Sequence, residues 1–166
     1  MLNIKKFQKE VASFLDIDVY KVKLEDLGED MKSKLYMHDE YIAINKKYKK
    51  DDLMLMQLIA FEYRKLFQVK ERIAHANSSL HNRSMEYKNW ISENRIDKEL
   101  RYDQAELDAN AFSRYYLKRF KNIDIKTEYS GYLDNLDKFI KENPNRFELD
   151  RVRKEKEEIK RKDREE

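Results

Sequence analysis

At 166 residues the chain has room for one compact domain, and 36 basic against 33 acidic side chains leave a net charge of only +3. That balance does not by itself argue for a nucleic-acid binder. The absence of cysteine excludes a disulfide framework, thiolate zinc ligands and a cysteine nucleophile. Two glycines and one proline argue against a turn-rich sandwich or barrel, and 11 Tyr, 8 Phe and 1 Trp supply the apolar area that a disordered chain lacks. No apolar run reaches the ~18 residues of a membrane span, and Met1 to Asp16 lacks a signal-peptide core, so the expected setting is cytoplasmic, with no membrane partner.

Ile4, Phe7, Val11, Phe14 and Leu15 recur at helical spacing, which predicts an amphipathic helix over Asn3 to Leu15. The period then changes. In the stretch from Val19 to Leu24, Tyr20, Val22 and Leu24 alternate with lysines, as a half-buried strand does. After a break at Gly28, Leu35 and Met37 alternate before the polar turn His38-Asp39-Glu40, and the strand formers Tyr41 to Asn45 follow. These segments predict a two- or three-stranded antiparallel sheet, too small to stand without a helix against it.

Asp51 or Asp52 can cap a helix from Leu53 to Gln68 that is apolar nearly all round for three turns and is therefore the expected buried centre. Lys70 to Ile96 is polar and irregular, expected to form one or two short helices with a loop near residues 77–79 and Trp90 as its anchor. A second long helix is expected from Lys98 to Phe120, turning Leu100, Leu107, Ala111, Tyr115 and Leu117 inward. A shorter one runs from about Tyr129 to Lys141 and stops before Pro144. Beyond residue 145 the chain becomes a mixed-charge run whose Glu157–Arg161 and Glu158–Lys162 pairs suit a solvated helix. The expected division is thus a domain over 1–145 and a charged helical extension over 146–166. The fold class is α+β, mostly helical, with a small antiparallel sheet packed on a central helix.

The central helix carries Ala60-Phe-Glu-Tyr-Arg-Lys-Leu-Phe-Gln68, and the later long helix carries Glu106-Leu-Asp-Ala-Asn-Ala-Phe112. Together they resemble the two signature helices of small gluzincin-type zinc metallopeptidase-like proteins of phages and mobile elements. Their pattern is His-Glu-x-Arg-His-x-x-Gln followed by Glu-x-Asp-Ala-x-Ala. The resemblance covers about Leu35 to Phe120, with Tyr41 to Asn45 standing where the family's edge strand precedes the first helix. Two histidines at i and i+4 share a helix face and can bind one zinc, and the glutamate between them polarises the zinc-bound water. By resemblance, Glu62 matches that general base, Glu106 the ligand from the second helix and Asp108 the acid that follows it. Arg64 and Gln68 match the remaining helix positions.

The two histidine positions are Phe61 and Lys65. Phenylalanine has no lone pair and an ammonium repels a dication, so one carboxylate remains where a tetrahedral zinc site needs several ligands. The resemblance therefore implies a metallopeptidase frame without its metal: no cofactor, no metal and no catalytic residue. The degenerate site is Phe61, Glu62, Lys65, Glu106 and Asp108. Lys65 is expected to bring its ammonium to Glu106, a carboxylate that burial would otherwise leave unpaired at a cost of several kcal/mol, while Phe61 fills the remaining space. The plainer alternative makes Glu62 and Lys65 a surface pair and Phe61 ordinary core.

Other constellations are weaker. His38, His75 and His81 match no ligand spacing and are expected in solvent. Ser113 and Ser130 lack nucleophile motifs, and no Gly-rich phosphate loop is present. Glu62, Glu106 and Asp108 as a carboxylate-only magnesium site would make the chain a metal-dependent hydrolase. Arg101, Arg114, Lys118, Arg119 and Lys121, interleaved with Tyr102, Tyr115 and Tyr116, would suit a nucleic-acid-binding accessory protein, although such a stretch is more often core with a solvated flank. The favoured expectation is an inactive metallopeptidase-like protein from a phage or mobile element. It would bind a protein partner and inhibit a host protein, with a defence nuclease as one candidate target.

Overall fold

The computed structural model describes residues 1–76, 98–125, 131–144, 146–148, 161–162 and 164–165. The first helix, α1, spans Ile4–Leu15. The Asn3 side chain caps it by accepting from the Lys6 amide at 3.1 Å. It ends at Asp16, whose left-handed backbone, φ 56°, lets the Asp16 and Ile17 amides reach the carbonyls of Ser13 and Ala12. The face so positioned buries Phe7, Val11, Phe14 and Leu15.

Three strands follow: β1, Lys21–Glu25; β2, Ser33–Tyr36; and β3, Tyr41–Asn45. The expected antiparallel sheet is corrected here. The order is β1-β3-β2, with β2 antiparallel to β3 and β1 parallel to it, so the sheet is mixed. Alternation reports which face a residue takes and is blind to strand direction. Nor is Tyr41–Asn45 at an edge: β3 is the middle strand, with Ile42, Ala43 and Ile44 fully buried. The loop from β1 to β2 passes over the end of β3, where buried Asn45 donates from Nδ2 to the carbonyls of Gly28, at 2.6 Å, and Met31, at 2.9 Å. Gly28 supplies the left-handed residue, φ 81°, that this loop needs. The start of β1 is fixed from outside the sheet. The Tyr63 hydroxyl accepts from the Tyr20 amide at 3.0 Å and donates to its carbonyl at 2.9 Å.

A short 3-10 turn, Lys46–Tyr48, leads into α2, Asp52–Ala76. Asp51 is the cap, accepting from the Met54 amide at 3.1 Å. The helix is the expected centre, burying Leu55, Ile59, Ala60, Tyr63 and Leu66, but it continues past Gln68 into the stretch expected to be irregular. On one side it meets α1, on another the inner face of β3 and β2, and along its length α3, Lys98–Lys121. Each large apolar side chain sealed this way contributes about 1.5–3 kcal/mol.

The middle of α3 is wrapped more fully than the expected stripe. Ala109, Phe112, Ser113, Arg114 and Tyr116 are buried as well as Ala111 and Leu117, because α4, Tyr132–Glu142, closes its far side. Helix α4 stops two residues before Pro144, as expected. Phe147, within the segment read as an extension, is 1% exposed and packs on Phe112, Tyr115 and Phe139. Trp90, the 77–79 loop and the glutamates of the Glu157–Arg161 and Glu158–Lys162 pairs lie outside the described residues. Among the described residues, no helix is long and apolar enough to cross a membrane.

Candidate functional site

The motif positions lie where α2 and α3 face each other. Phe61 and Lys65, four residues apart, share one face of α2, and the Lys65 ammonium stands 5.2 Å from the centroid of the Phe61 ring. From that position Lys65 Nζ donates to Glu106 Oε1 of α3 at 3.2 Å. Lys65, Phe61 and Glu106 are thereby gathered into one cluster, in which a phenyl ring and an ammonium stand opposite a single carboxylate. These groups do not suit zinc, which would find one oxygen and a repelling cation. Among the described residues, no group of three His, Asp or Glu side chains is placed to hold a metal ion.

The carboxylate that burial leaves short of partners is Glu62, not Glu106. The Glu106 side chain keeps 27% of its exposure and can take water as well as Lys65, whereas Glu62 is 2% exposed. Ser33 Oγ of β2 donates to Glu62 Oε1 at 2.8 Å, and Oε2 is buried with no partner among the described residues. Burial raises the Glu62 pKa and the nearby Glu106 carboxylate adds to that, while the Lys65 charge and the Ser33 hydrogen bond oppose it. Tyr132, at the start of α4, lies on the Glu106 side. Its hydroxyl is pushed up by burial first and then by the charge of Glu106.

One turn along α2 the other motif residues form a sealed polar network. Asp108 of α3, 1% exposed, receives Arg64 Nε at 2.7 Å and Nη2 at 3.1 Å, and Gln68 Nε2 at 2.6 Å. Arg146 adds a further hydrogen bond from beyond α4. Burial alone would raise the Asp108 pKa, but the hydrogen bond and charge of Arg64, joined by those of Arg146, outweigh it and hold the carboxyl below its ordinary range. The Arg64 guanidinium also lies against the rings of Phe67, Phe112 and Phe147. A carboxylate bound by two guanidinium groups and an amide has little left to offer a cation, which counts against joining Asp108 with Glu62 and Glu106 as a magnesium site.

The remaining sequence candidates separate. Tyr116 is core, Tyr115 packs on Phe147, buried Arg114 pairs with Asp137 and Asp124, and Lys121 pairs with Glu10. Tyr115 and Tyr116 are therefore packing and not a stacking platform. Ser113 is buried and donates to the Gln57 carbonyl at 3.0 Å, and His38 is exposed in the β2–β3 turn. The side chains of Arg101, Tyr102 and His75, together with His81 and Ser130, lie outside the described residues. Ser33, Tyr132, Arg146 and Phe147 escaped the sequence reasoning. Of these, only Ser33 carried a signal: strand alternation puts it on the same face as inward-pointing Leu35.

Comparison with protein-family models, with curated proteins and with solved structures finds no match to this chain.

Proposed function

We propose that this chain is a catalytically inactive, metallopeptidase-like binding protein of phage or mobile-element origin. It works by binding a host protein and inhibiting it, with a defence nuclease as the candidate target. The observation that carries the reading is the Lys65 ammonium. It stands on Glu106 and over Phe61, so it joins the positions that correspond by resemblance to the three metal ligands. One positive charge there takes the part of two, and the aromatic ring takes the space of the other imidazole. The positions that match the motif without being ligands, Arg64, Gln68 and Asp108, are bound to one another and hold α2 to α3. A frame kept by its structural residues after loss of its ligands is what a retired catalytic site would leave. Glu62, the counterpart of the general base, is closed off from solvent, which suits a protein that works through its surface.

The test is metal content of protein purified without added zinc, followed by zinc and magnesium titrations of thermal stability, on the native chain and on Phe61→His/Lys65→His. A ligand that binds only the folded state must raise the melting temperature, by about 2.7 kcal/mol of stabilisation at a hundred times its dissociation constant. The native chain is expected to stay silent. The double variant is expected to bind one zinc and to lose it on Glu106→Ala. Stoichiometric metal in the native chain would overturn the inactive reading, and a double variant that ignores zinc would overturn the metallopeptidase frame.

A further inference from the structure

The face of the sheet turned away from α2 has a chemistry that the motif cluster does not use. Pairing register puts Lys21, Lys23 and Glu25 of β1, Tyr41, Ala43 and Asn45 of β3, and Lys34 and Tyr36 of β2 on this side. Val22, Ile42, Ile44 and Leu35 take the other side, against the core. Tyr36 and Tyr41 stack with centroids 4.6 Å apart and planes 14° from parallel. Lys23 Nζ stands 4.1 Å from the Tyr41 ring and Lys34 Nζ 4.8 Å from the Tyr36 ring. Ala43, between Lys23 and Lys34 in the register, is 0% exposed.

We infer that this outer sheet face is the docking surface for the protein partner, and that the partner presents carboxylates around an apolar spot. The reasons are charge and pre-organisation. The Tyr41 hydroxyl is pushed up by burial first and then by the charge of Glu25, the acid on this face. Among the described residues, none of Lys21, Lys23 and Lys34 belongs to an ion pair. Two ammonium groups therefore stand on a stacked tyrosine pair, with Lys21 beside Tyr41 in the register, an arrangement that resembles an interface centre with its polar surround. Tyrosines held by stacking and cation–π contacts lose little side-chain entropy on docking. Each ring has one face against the other tyrosine and an ammonium beside it, which leaves poor room for bases to stack, so an acidic protein surface fits better than single-stranded nucleic acid. The face is three strands wide, roughly 10 Å across its strand axes, and offers an anchor for a larger contact through its Lys21 edge.

This inference rests on the binding-protein reading and names its face. The zinc-rebuilding experiment leaves the sheet untouched, so the two can fail separately. The probe is a displayed library of random twelve-residue peptides selected on the native full-length chain, with the best binders synthesised and their affinities measured for the native protein, Lys23→Glu/Lys34→Glu and Tyr36→Ala. A twenty-nucleotide oligothymidylate is measured alongside. The expected result is enrichment of peptides with several Asp or Glu around an apolar residue. Charge reversal should weaken them by about tenfold or more and Tyr36→Ala by a similar factor, while thermal unfolding of the charge-reversed chain stays close to native. No enrichment, a consensus without acids, or binding indifferent to the charge reversal would overturn the proposal. So would oligothymidylate binding more tightly than the selected peptides and more weakly after charge reversal, which would reassign the face to nucleic acid.

Discussion

Arg64 and Asp108 stand 44 positions apart in the chain and meet as a two-bond guanidinium–carboxylate pair, with Nε at 2.7 Å and Nη2 at 3.1 Å. Their side chains are 4% and 2% exposed, so the pair is effectively inside the protein. Two hydrogen bonds in one plane fix the rotation of α2 against α3 as well as their separation. Arg64 Nη1 finds no hydrogen-bond partner among the described residues, and the surrounding aromatic faces are what it meets instead.

Breaking such a pair from one side leaves a buried charge. Asp108→Ala is expected to cost about 3–5 kcal/mol, and Arg64→Lys should also destabilise because an ammonium cannot reproduce the fork. Urea unfolding of the two variants beside the native chain measures both. A loss under about 1 kcal/mol for Asp108→Ala would mean that the pair stands in solvent.

The same residue sets an acid limb. Its folded pKa lies below its unfolded value, so the stabilisation is present above the unfolded value, near about 3.9, and is lost as pH falls through the folded one. Unfolding free energies taken between pH 2 and 7 should drop steeply below about pH 4 in the native chain and less steeply in Asp108→Asn. Parallel curves would assign the acid limb to other groups.

Glu62 works in the opposite sense. Its folded pKa is raised, chiefly by burial, so its contribution is fully present below the unfolded value and is lost as pH rises through the folded one. Glu62→Gln removes the charge and keeps a group that can still meet Ser33. The variant is expected to gain on the native chain between pH 5 and 8 and to lose that advantage near pH 4. An advantage that does not change with pH would show the carboxylate to be no more strained than the amide.

The Lys65–Glu106 contact is placed at the site but is partly open, with side chains 32% and 27% exposed. Water can replace either partner, so a double-mutant cycle with Lys65→Met and Glu106→Gln should return only about 0.2–1 kcal/mol of coupling. The cluster would then owe its shape to geometry more than to the strength of this pair. A coupling well above that range would put the pair in a drier setting.

Phe147 tests how the chain beyond α4 is attached. Phe147→Ala should cost about 3–5 kcal/mol by emptying the space between Phe112, Tyr115 and Phe139. Arg146→Ala should cost less, because the Arg146 side chain is 45% exposed and Asp108 retains Arg64 and Gln68. Melting temperatures of the two variants give the order.

Helical periodicity was enough to find α1, α2 and α3, since Phe7, Val11, Ile59 and Leu66 advertise their faces by spacing alone. Strand alternation found β1, β2 and the turn at His38 to Glu40, and strand-forming residues found β3, but neither told that β1 runs parallel to β3, because direction leaves no trace in a period of two. The apolar run Ile42 to Ile44 did hold a usable clue, for a strand whose successive residues are all buried belongs in the middle of a sheet. At the site, the motif spacing drew attention to Lys65 and Glu106, and they do meet. Which carboxylate would be starved of partners was not legible. That depends on how completely the packed elements bury Glu62 and on Ser33 reaching only one of its oxygens, which no local pattern records.

Because β3 lies between two strands that precede it, the sheet cannot be assembled in the order in which it is synthesised. Both β1 and β2 leave the ribosome with their bonding edges facing a vacant slot, and the loop joining them has nothing to wrap until Asn45 arrives to hold it. Sheet closure is thus an insertion event, timed by the emergence of residues 41–45 and completed only when α2 follows to cover the inner side. Until then the β1 and β2 segments have no strand to bond, and too little packed area to hold a strand's shape alone.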